Sequence, residues 1–291
     1  LYKSDHKIRF VVPTGNFGDI LAGYFAKRMG LPTEKLVVAT NENDILDRFW
    51  KTGHYEKKAV HGVEAQGGIA ADGGKAHEDG VRETMSPAMD ILVSSNFERL
   101  LWFLAYEFAA EAGMDDIWNK KQAGQEVETW LKQLKSNGGF GVHADILKSA
   151  KRDFESERVS DIQTLEAIRQ FYSPAPTNGA TNGTDTKGGY ILDPHSAIGV
   201  AASLRSMKRT SPSGTHHISL ATAHPAKFAN AVDLALKDEA GFSFASVLPE
   251  EFVGLEKKER RVITVPKGAG WEGVRGIIEE EVEKELKASR L

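Results

Sequence analysis

The chain has 291 residues, 41% hydrophobic and 27% charged, which is enough apolar material for one large folded domain or two smaller ones. Its 37 basic and 41 acidic side chains leave a net charge of −4, so no basic surplus draws it to nucleic acid or to an anionic membrane surface. The absence of cysteine excludes a disulfide framework, a thiol nucleophile and a thiolate metal site, and fits a cytoplasmic setting. No apolar run approaches the roughly 20 residues a membrane helix needs, and the histidines lack metal-ligand spacing, so neither a membrane partner nor a metal is expected.

In chain order, the first pattern is strand, helix, strand, helix: Ile8 to Val12, Asp19 to Met29, Leu36 to Ala39 and Ile45 to Trp50. This is the signature of a parallel α/β fold. The first apolar strand comes within ten residues of Leu1 and reads as entry into a sheet whose other strands lie upstream. Gly30-Leu31-Pro32 stops the first helix, while Asn43 or Asp44 caps the second, which ends near Gly53. Residues 57–83 are rich in Gly, Ala and charge without apolar periodicity and are expected to be a solvated, flexible insertion.

Met89 to Val93 is expected to be a strand. Ser95 and Glu98 form a capping box for a helix reaching Ala110, with Leu100, Leu101, Leu104 and Phe108 on its buried face. A further helix covers Gln125 to Lys135, and a second capping box, Ser160 to Gln163, opens one that ends before Ser173-Pro174. Residues 173–189 are a low-complexity insertion with nothing to bury. Asp193 and Pro194 supply the N-cap and first residue of a helix running to about Met207, and Ile218 to Ala221 forms a short strand. The last helix aligns Trp271, Val274, Ile277, Ile278, Val282 and Leu286 on one face.

Two segments carry chemistry. Pro13-Thr14-Gly15-Asn16-Phe17-Gly18-Asp19 follows an apolar strand and opens a helix. Its glycines let successive amide hydrogens converge on one anion, to which the helix N-terminus adds partial positive charge, so phosphate is the natural ligand. A simple tight turn accounts for these residues equally well when they are taken alone. Asp19 is out of place beside a phosphate unless it caps or clamps the loop. The second segment, Leu220 to Phe228, again runs from the carboxyl end of a strand into a helix, where ligands of open parallel sheets gather. A hydroxyl at Thr222 could donate to a ring nitrogen, where a carboxylate would hold that nitrogen protonated; capping of the next helix is the competing role. His195, in the first turn of its helix, reads as a satisfied structural residue.

Taken together, Val-Pro-Thr-Gly-Asn-Phe-Gly-Asp, Ala-Thr-Asn-Glu-Asn-Asp, Ser-Pro-Ala-Met-Asp with Ser-Ser-Asn-Phe-Glu-Arg-Leu, Asp-Pro-His-Ser-Ala and Thr-Ala-His-Pro-Ala-Lys-Phe resemble the threonine synthases, most nearly the fungal form, from about Arg9 to Phe252. The resemblance implies the fold of the tryptophan synthase β subunit, a fold type II α/β architecture. It implies pyridoxal 5'-phosphate (PLP) as cofactor and the conversion of O-phospho-L-homoserine and water to L-threonine and phosphate. By motif position it assigns Gly15, Asn16, Phe17 and Asp19 to the cofactor phosphate loop and Thr222 to the pyridine nitrogen. Asn96, Arg99 and Lys227 are candidates for the substrate's anionic groups.

The family's Schiff-base lysine stands in a Phe-Lys-Asp motif upstream of the phosphate loop, and Phe-Lys-Asp occurs nowhere in this sequence. Residues 1–291 are therefore expected to be part of the large domain plus a C-terminal region, inactive alone, with the lysine on an N-terminal domain or a complementing segment. Two other readings stay open: a silent homologue that keeps a PLP or phosphate site, and a generic nucleotide-binding domain, which the missing three-glycine spacing disfavours.

Overall fold

The structure is a computed structural model that describes residues 7–57, 75–76, 80–110, 113–172, 189–210, 214–260 and 262–289. It divides into two units, Leu1–Leu248 and Pro249–Leu291.

The first unit is built on a four-stranded sheet in the order β7-β2-β1-β8, with β1 at Lys7–Pro13, β2 at Leu36–Thr40, β7 at Phe154–Arg158 and β8 at Thr215–Ser219. Every neighbouring pair is parallel. Both faces of this sheet are covered, which is why β2 reads Leu-Val-Val-Ala-Thr and is buried throughout. Alternation divides its side chains: Val12, Leu36 and Val38 enter one core, while Val11, Val37 and Ala39 enter the other.

On the first face lie α1 (Gly18–Arg28), α2 (Ile45–Thr52), α3 (Phe97–Ala110), α4 (Asp116–Asn137) and α5 (Ala144–Asp153). An aromatic cluster of Phe17, Phe49, Trp50, Phe97 and Phe154 joins them. The other face carries α6 (Asp161–Tyr172), α7 (Pro194–Arg209) and α8 (Ala229–Leu236). Two small ladders complete the unit: β3 (His54–Glu56) against β6 (Gly139–Gly141), and β4 (Lys75–Ala76) against β5 (Arg82–Glu83).

Several local expectations hold. The Ser160–Gln163 box forms in both directions, at 3.0 and 3.3 Å, and Asp193 caps α7 ahead of Pro194. Others need correction. Residues 89–93 are not a strand: Pro87–Met89 is a 3-10 turn, Met89 is buried, and Asp90 is occupied with side-chain hydrogen bonds. Helix α3 starts at Phe97, one residue later than a Ser95–Glu98 box requires, and Phe108 is largely outside its buried face. Asp44 occupies the cap position of α2 without capping it, because its carboxylate pairs with Arg48 and Arg158. Strand β8 ends at Ser219, so Leu220 and Ala221 already belong to the turn beyond it.

Most of the insertion expected at 57–83 lies outside the described residues, but its end does not behave as a solvated loop. Arg82 pairs with the buried Glu42 at 3.1 Å and its backbone bonds Asn43, so this end is anchored to the sheet. The expected insertion at 173–189 lies outside the described residues except for Gly189, whose amide donates to Tyr172 O at 2.7 Å. In the second unit α9 (Gly270–Ala288) follows two 3-10 turns, Glu250–Phe252 and Leu255–Lys257. Those turns are too short to cover the apolar face of α9, none of whose residues is buried. No helix among the described residues is long and apolar enough to cross a membrane.

Candidate active site

All the chemical motifs gather at the carboxyl edge of the parallel sheet. After β1, Thr14 fastens the turn by donating its amide to Ala39 O at 2.8 Å and its hydroxyl to Val12 O at 2.6 Å. Phe17 then adopts φ 64°, the left-handed conformation that L residues other than Gly, Asn and Asp avoid. Its ring is buried and meets Phe97 edge-on at 5.2 Å, so core burial offsets a backbone cost of about 1–2 kcal/mol.

The turn leaves its donors facing out. Among the described residues, the amides of Gly15, Asn16, Phe17, Gly18 and Asp19 donate to no protein acceptor, and Leu21, bonded to Phe17 O, is the first in α1 that does. The carbonyls are held back instead. Gly15 O accepts from the Ser94 hydroxyl at 2.9 Å, and Asn16 O accepts from the Asn96 amide at 3.1 Å and its side chain at 2.7 Å. Ser94 is itself fixed by its amide on the Tyr55 hydroxyl at 2.8 Å; burial pushes that phenol up to about 12, so it stays neutral. The result is a run of donors at a helix N-terminus with the opposing dipoles turned away, a geometry suited to an anion. A Cβ on Gly15 would lie 3.0 Å from Ala88 O and 3.2 Å from Met89 Cα, so any side chain there would crowd the 86–89 turn.

That turn is secured by one carboxylate. Asp90 accepts from Asn41 at 2.8 Å, Asn43 at 2.9 Å, and Thr84 through its hydroxyl at 2.7 Å and its amide at 2.9 Å. Beneath it, the buried Glu42 lies between Arg82 and Arg158.

Strand β8, the neighbour of β1, delivers Thr222. Its amide donates to Ser196 Oγ at 3.0 Å, and the two hydroxyl oxygens are 3.5 Å apart. Ser196 donates in turn to Asp193 Oδ2, while Asp193 Oδ1 is 2.9 Å from His195 Nδ1. His195 Nε2 accepts from the Ala88 amide at 3.3 Å, which leaves the ring hydrogen on Nδ1 to be donated to Asp193. Burial works against the charge on Asp193, but the bonds from His195 and Ser196 hold its carboxyl below the usual range.

The chain is 47% identical over 283 residues to threonine synthase of Saccharomyces cerevisiae, a match that covers 97% of this chain and 48% of the relative. Against the crystal structure of threonine synthase from yeast the TM-score is 0.76 at 46% identity, over 96% of this chain and 48% of that one. Against PLP-bound threonine synthase from Brucella melitensis it is 0.59 at 35% identity, over 88% and 43%. Residues 196–278 match the family described as threonine synthase, C-terminal. The chain is homologous to the threonine synthases. It spans about half the length of the curated relatives it matches, and its parallel sheet is the fold type II arrangement of these structures.

Gly15, Asn16, Asp19 and Thr222 lie at one edge of the sheet, in the turns and helix start that follow the adjacent strands β1 and β8. Phe17 contributes main chain alone, since its ring is in the core. Asp19 is exposed and neither caps nor clamps the loop by a hydrogen bond among the described residues. Asn96 is a brace for the loop, and Arg99 donates to Asn96 Oδ1. Lys227 lines a cavity of about 550 Å³ with Thr84, Met85, Asp161 and Phe228. In the sequence Asp193 reads only as a cap, and Ser94, Tyr55 and Ser196 carry no functional signal beyond a serine three residues after a capping aspartate.

Proposed function

We propose that the full-length protein carrying this chain is a PLP-dependent carbon–oxygen lyase that converts O-phospho-L-homoserine and water to L-threonine and phosphate. The observation that carries the reading is the run of amides from Gly15 to Asp19 that donate to no acceptor among the described residues, with Thr222 in the turn that follows the neighbouring strand. The donor set fits the cofactor: amides and a helix N-terminus for its phosphate, a hydroxyl for its ring nitrogen, and a glycine where a side chain would intrude. The chemistry the cofactor supplies when bound is electron withdrawal from the α and β carbons of the amino acid joined to it.

This chain's own residues bind and orient. The amides of Gly15 to Asp19 hold the phosphate, Ser94 and Asn96 keep the opposing carbonyls away from it, and Thr222 meets the ring nitrogen. Lys227 is the cation we assign to the substrate's phosphate, because Asn96 and Arg99 are engaged with the loop and each other. The Phe-Lys-Asp lysine belongs to sequence outside residues 1–291, on a domain that completes the site, and the large domain includes the first unit described here. Identity of 47% to a fungal relative against 35% to a bacterial one supports the fungal form, and the cysteine-free composition supports the cytoplasm.

The test compares the full-length protein with residues 1–291, each given PLP and O-phosphohomoserine. Phosphate release by the full-length protein alone is the expected result. Turnover by residues 1–291 would overturn the placement of the lysine. A full-length protein that binds PLP and releases no phosphate would be the silent homologue instead.

A further inference from the structure

Residues 84–90 touch two parts of the site. Ala88 and Met89 back the phosphate loop, where a Cβ on Gly15 would lie 3.0 Å from Ala88 O and 3.2 Å from Met89 Cα. Thr84, Met85 and Pro87 line the cavity of about 550 Å³ that Lys227 also lines. The loop for the cofactor phosphate and the cation assigned to the substrate's phosphate therefore share one piece of chain, and whatever fixes that piece fixes both. Two asparagines just beyond β2 do so, and their orientation is not free. Asn43 Oδ1 accepts the Arg82 amide at 2.7 Å, and Asn41 Oδ1 accepts the Asn43 amide at 2.9 Å. A carboxamide whose oxygen is engaged in this way presents its NH2 on the other side. Both NH2 groups meet Asp90 Oδ1, at 2.8 and 2.9 Å. The Thr84 hydroxyl, which accepts from the Ser86 amide at 3.1 Å, gives its hydrogen to the same oxygen at 2.7 Å. The Thr84 amide reaches Oδ2 at 2.9 Å. Each of these groups is a donor, so only a residue with acceptors on both branches satisfies them.

We propose that Asp90 is a positioning residue that sets the spacing between the cofactor's phosphate and the substrate's phosphate, by tying the one turn both sites share to the carboxyl end of β2. The inference rests on the PLP reading and the Lys227 assignment above. Asp90 touches neither phosphate; it acts through Thr84 and the residues up to Met89.

The test uses the full-length protein and reads two constants: the Kd of PLP, by absorbance titration of the apoprotein, and the KM for O-phospho-L-homoserine at saturating PLP. Asp90→Asn keeps the shape but turns an NH2 onto either the Thr84 amide or the donors gathered at Oδ1. A rise of about tenfold or more in both constants is expected, the order set by one donor left unsatisfied. Thr84→Val removes the hydroxyl and keeps the amide, while Thr84→Ser keeps both. The valine variant should raise the PLP Kd and the serine variant should not, although residue 84 lies on the cavity side of the turn. Glu155→Gln is the control, since Glu155 meets Arg9, Ser206 and Arg209 at the amino end of the sheet. It should lower the unfolding midpoint and leave both constants unchanged. Should Asp90→Asn fail to fold, Thr84→Val against Thr84→Ser carries the comparison. Asp90→Asn moving neither constant, or only one, overturns the shared positioning, and so does an equal rise in Glu155→Gln. A wild type that binds no PLP, or binds it and releases no phosphate, would instead remove the reading on which the inference rests.

Discussion

Asp193 is a residue whose chemistry depends on neighbours that the sequence does not announce. Read as Asp-Pro-His-Ser, it is a helix cap, and it is one. Folding adds the His195 ring and the Ser196 hydroxyl to the same carboxylate, and this determines how acid affects it. Its folded-state pKa is depressed, so the stabilisation it provides is complete above the unfolded value of about 3.9 and is lost as pH falls through the lower folded value. Wild type and Asp193→Asn should therefore differ by about 1–3 kcal/mol near neutrality, with the gap closing below about pH 4. Denaturant midpoints measured across that range check this, and a gap that widens on acidification would contradict it. The Gly15 loop and Thr222 stand out in the sequence only through several motifs in register, since each turn taken alone reads equally well as a tight turn or a helix cap. Ser196 was not legible, since its partnership with Thr222 spans 26 positions and exists only because α7 packs beside β8.

Elements were legible wherever periodicity and a cap agreed, as in α6 and α7. They were misread where an apolar run lacked a period, as at residues 89–93, because a buried turn and a buried strand look alike in composition. Helix α7 packs closely on β1 and β8 at Gly199. A Cβ there would lie 2.6 Å from Ser219 Oγ and 2.9 Å from Pro13 Cγ. Alanine favours a helix over glycine by about 1 kcal/mol, but overpacking costs about 1–3 kcal/mol, and the added Cβ would press on both the Pro13 ring and the Ser219 side chain. Gly199→Ala should destabilise the protein by up to about 2 kcal/mol on balance. It should also displace Thr222, so PLP affinity would fall along with the unfolding midpoint. Unchanged affinity and stability would show that α7 is free to slide.

Across the whole molecule, the sequence conveyed a parallel α/β fold, and the number of motifs in register conveyed the resemblance to the threonine synthases. It did not convey the buried charges Glu42 and Arg9, whose partners Arg82, Arg158, Glu34 and Glu155 come from distant segments. One feature of the loop reaches furthest. Phe17 is both the turn residue and a member of the aromatic core, so the loop cannot open without withdrawing a ring from the centre of the protein. The Ser94 amide, buried behind that loop on Tyr55, should exchange with solvent deuterium as slowly as the amides of β2, through global unfolding alone. Faster exchange at Ser94 than in β2 would show the loop opening by itself. A loop pinned in this way has one conformation to offer. Capturing a phosphate requires no ordering step from it, so association there should proceed as a single kinetic phase, with the entropy of shaping the site already spent when the chain folded.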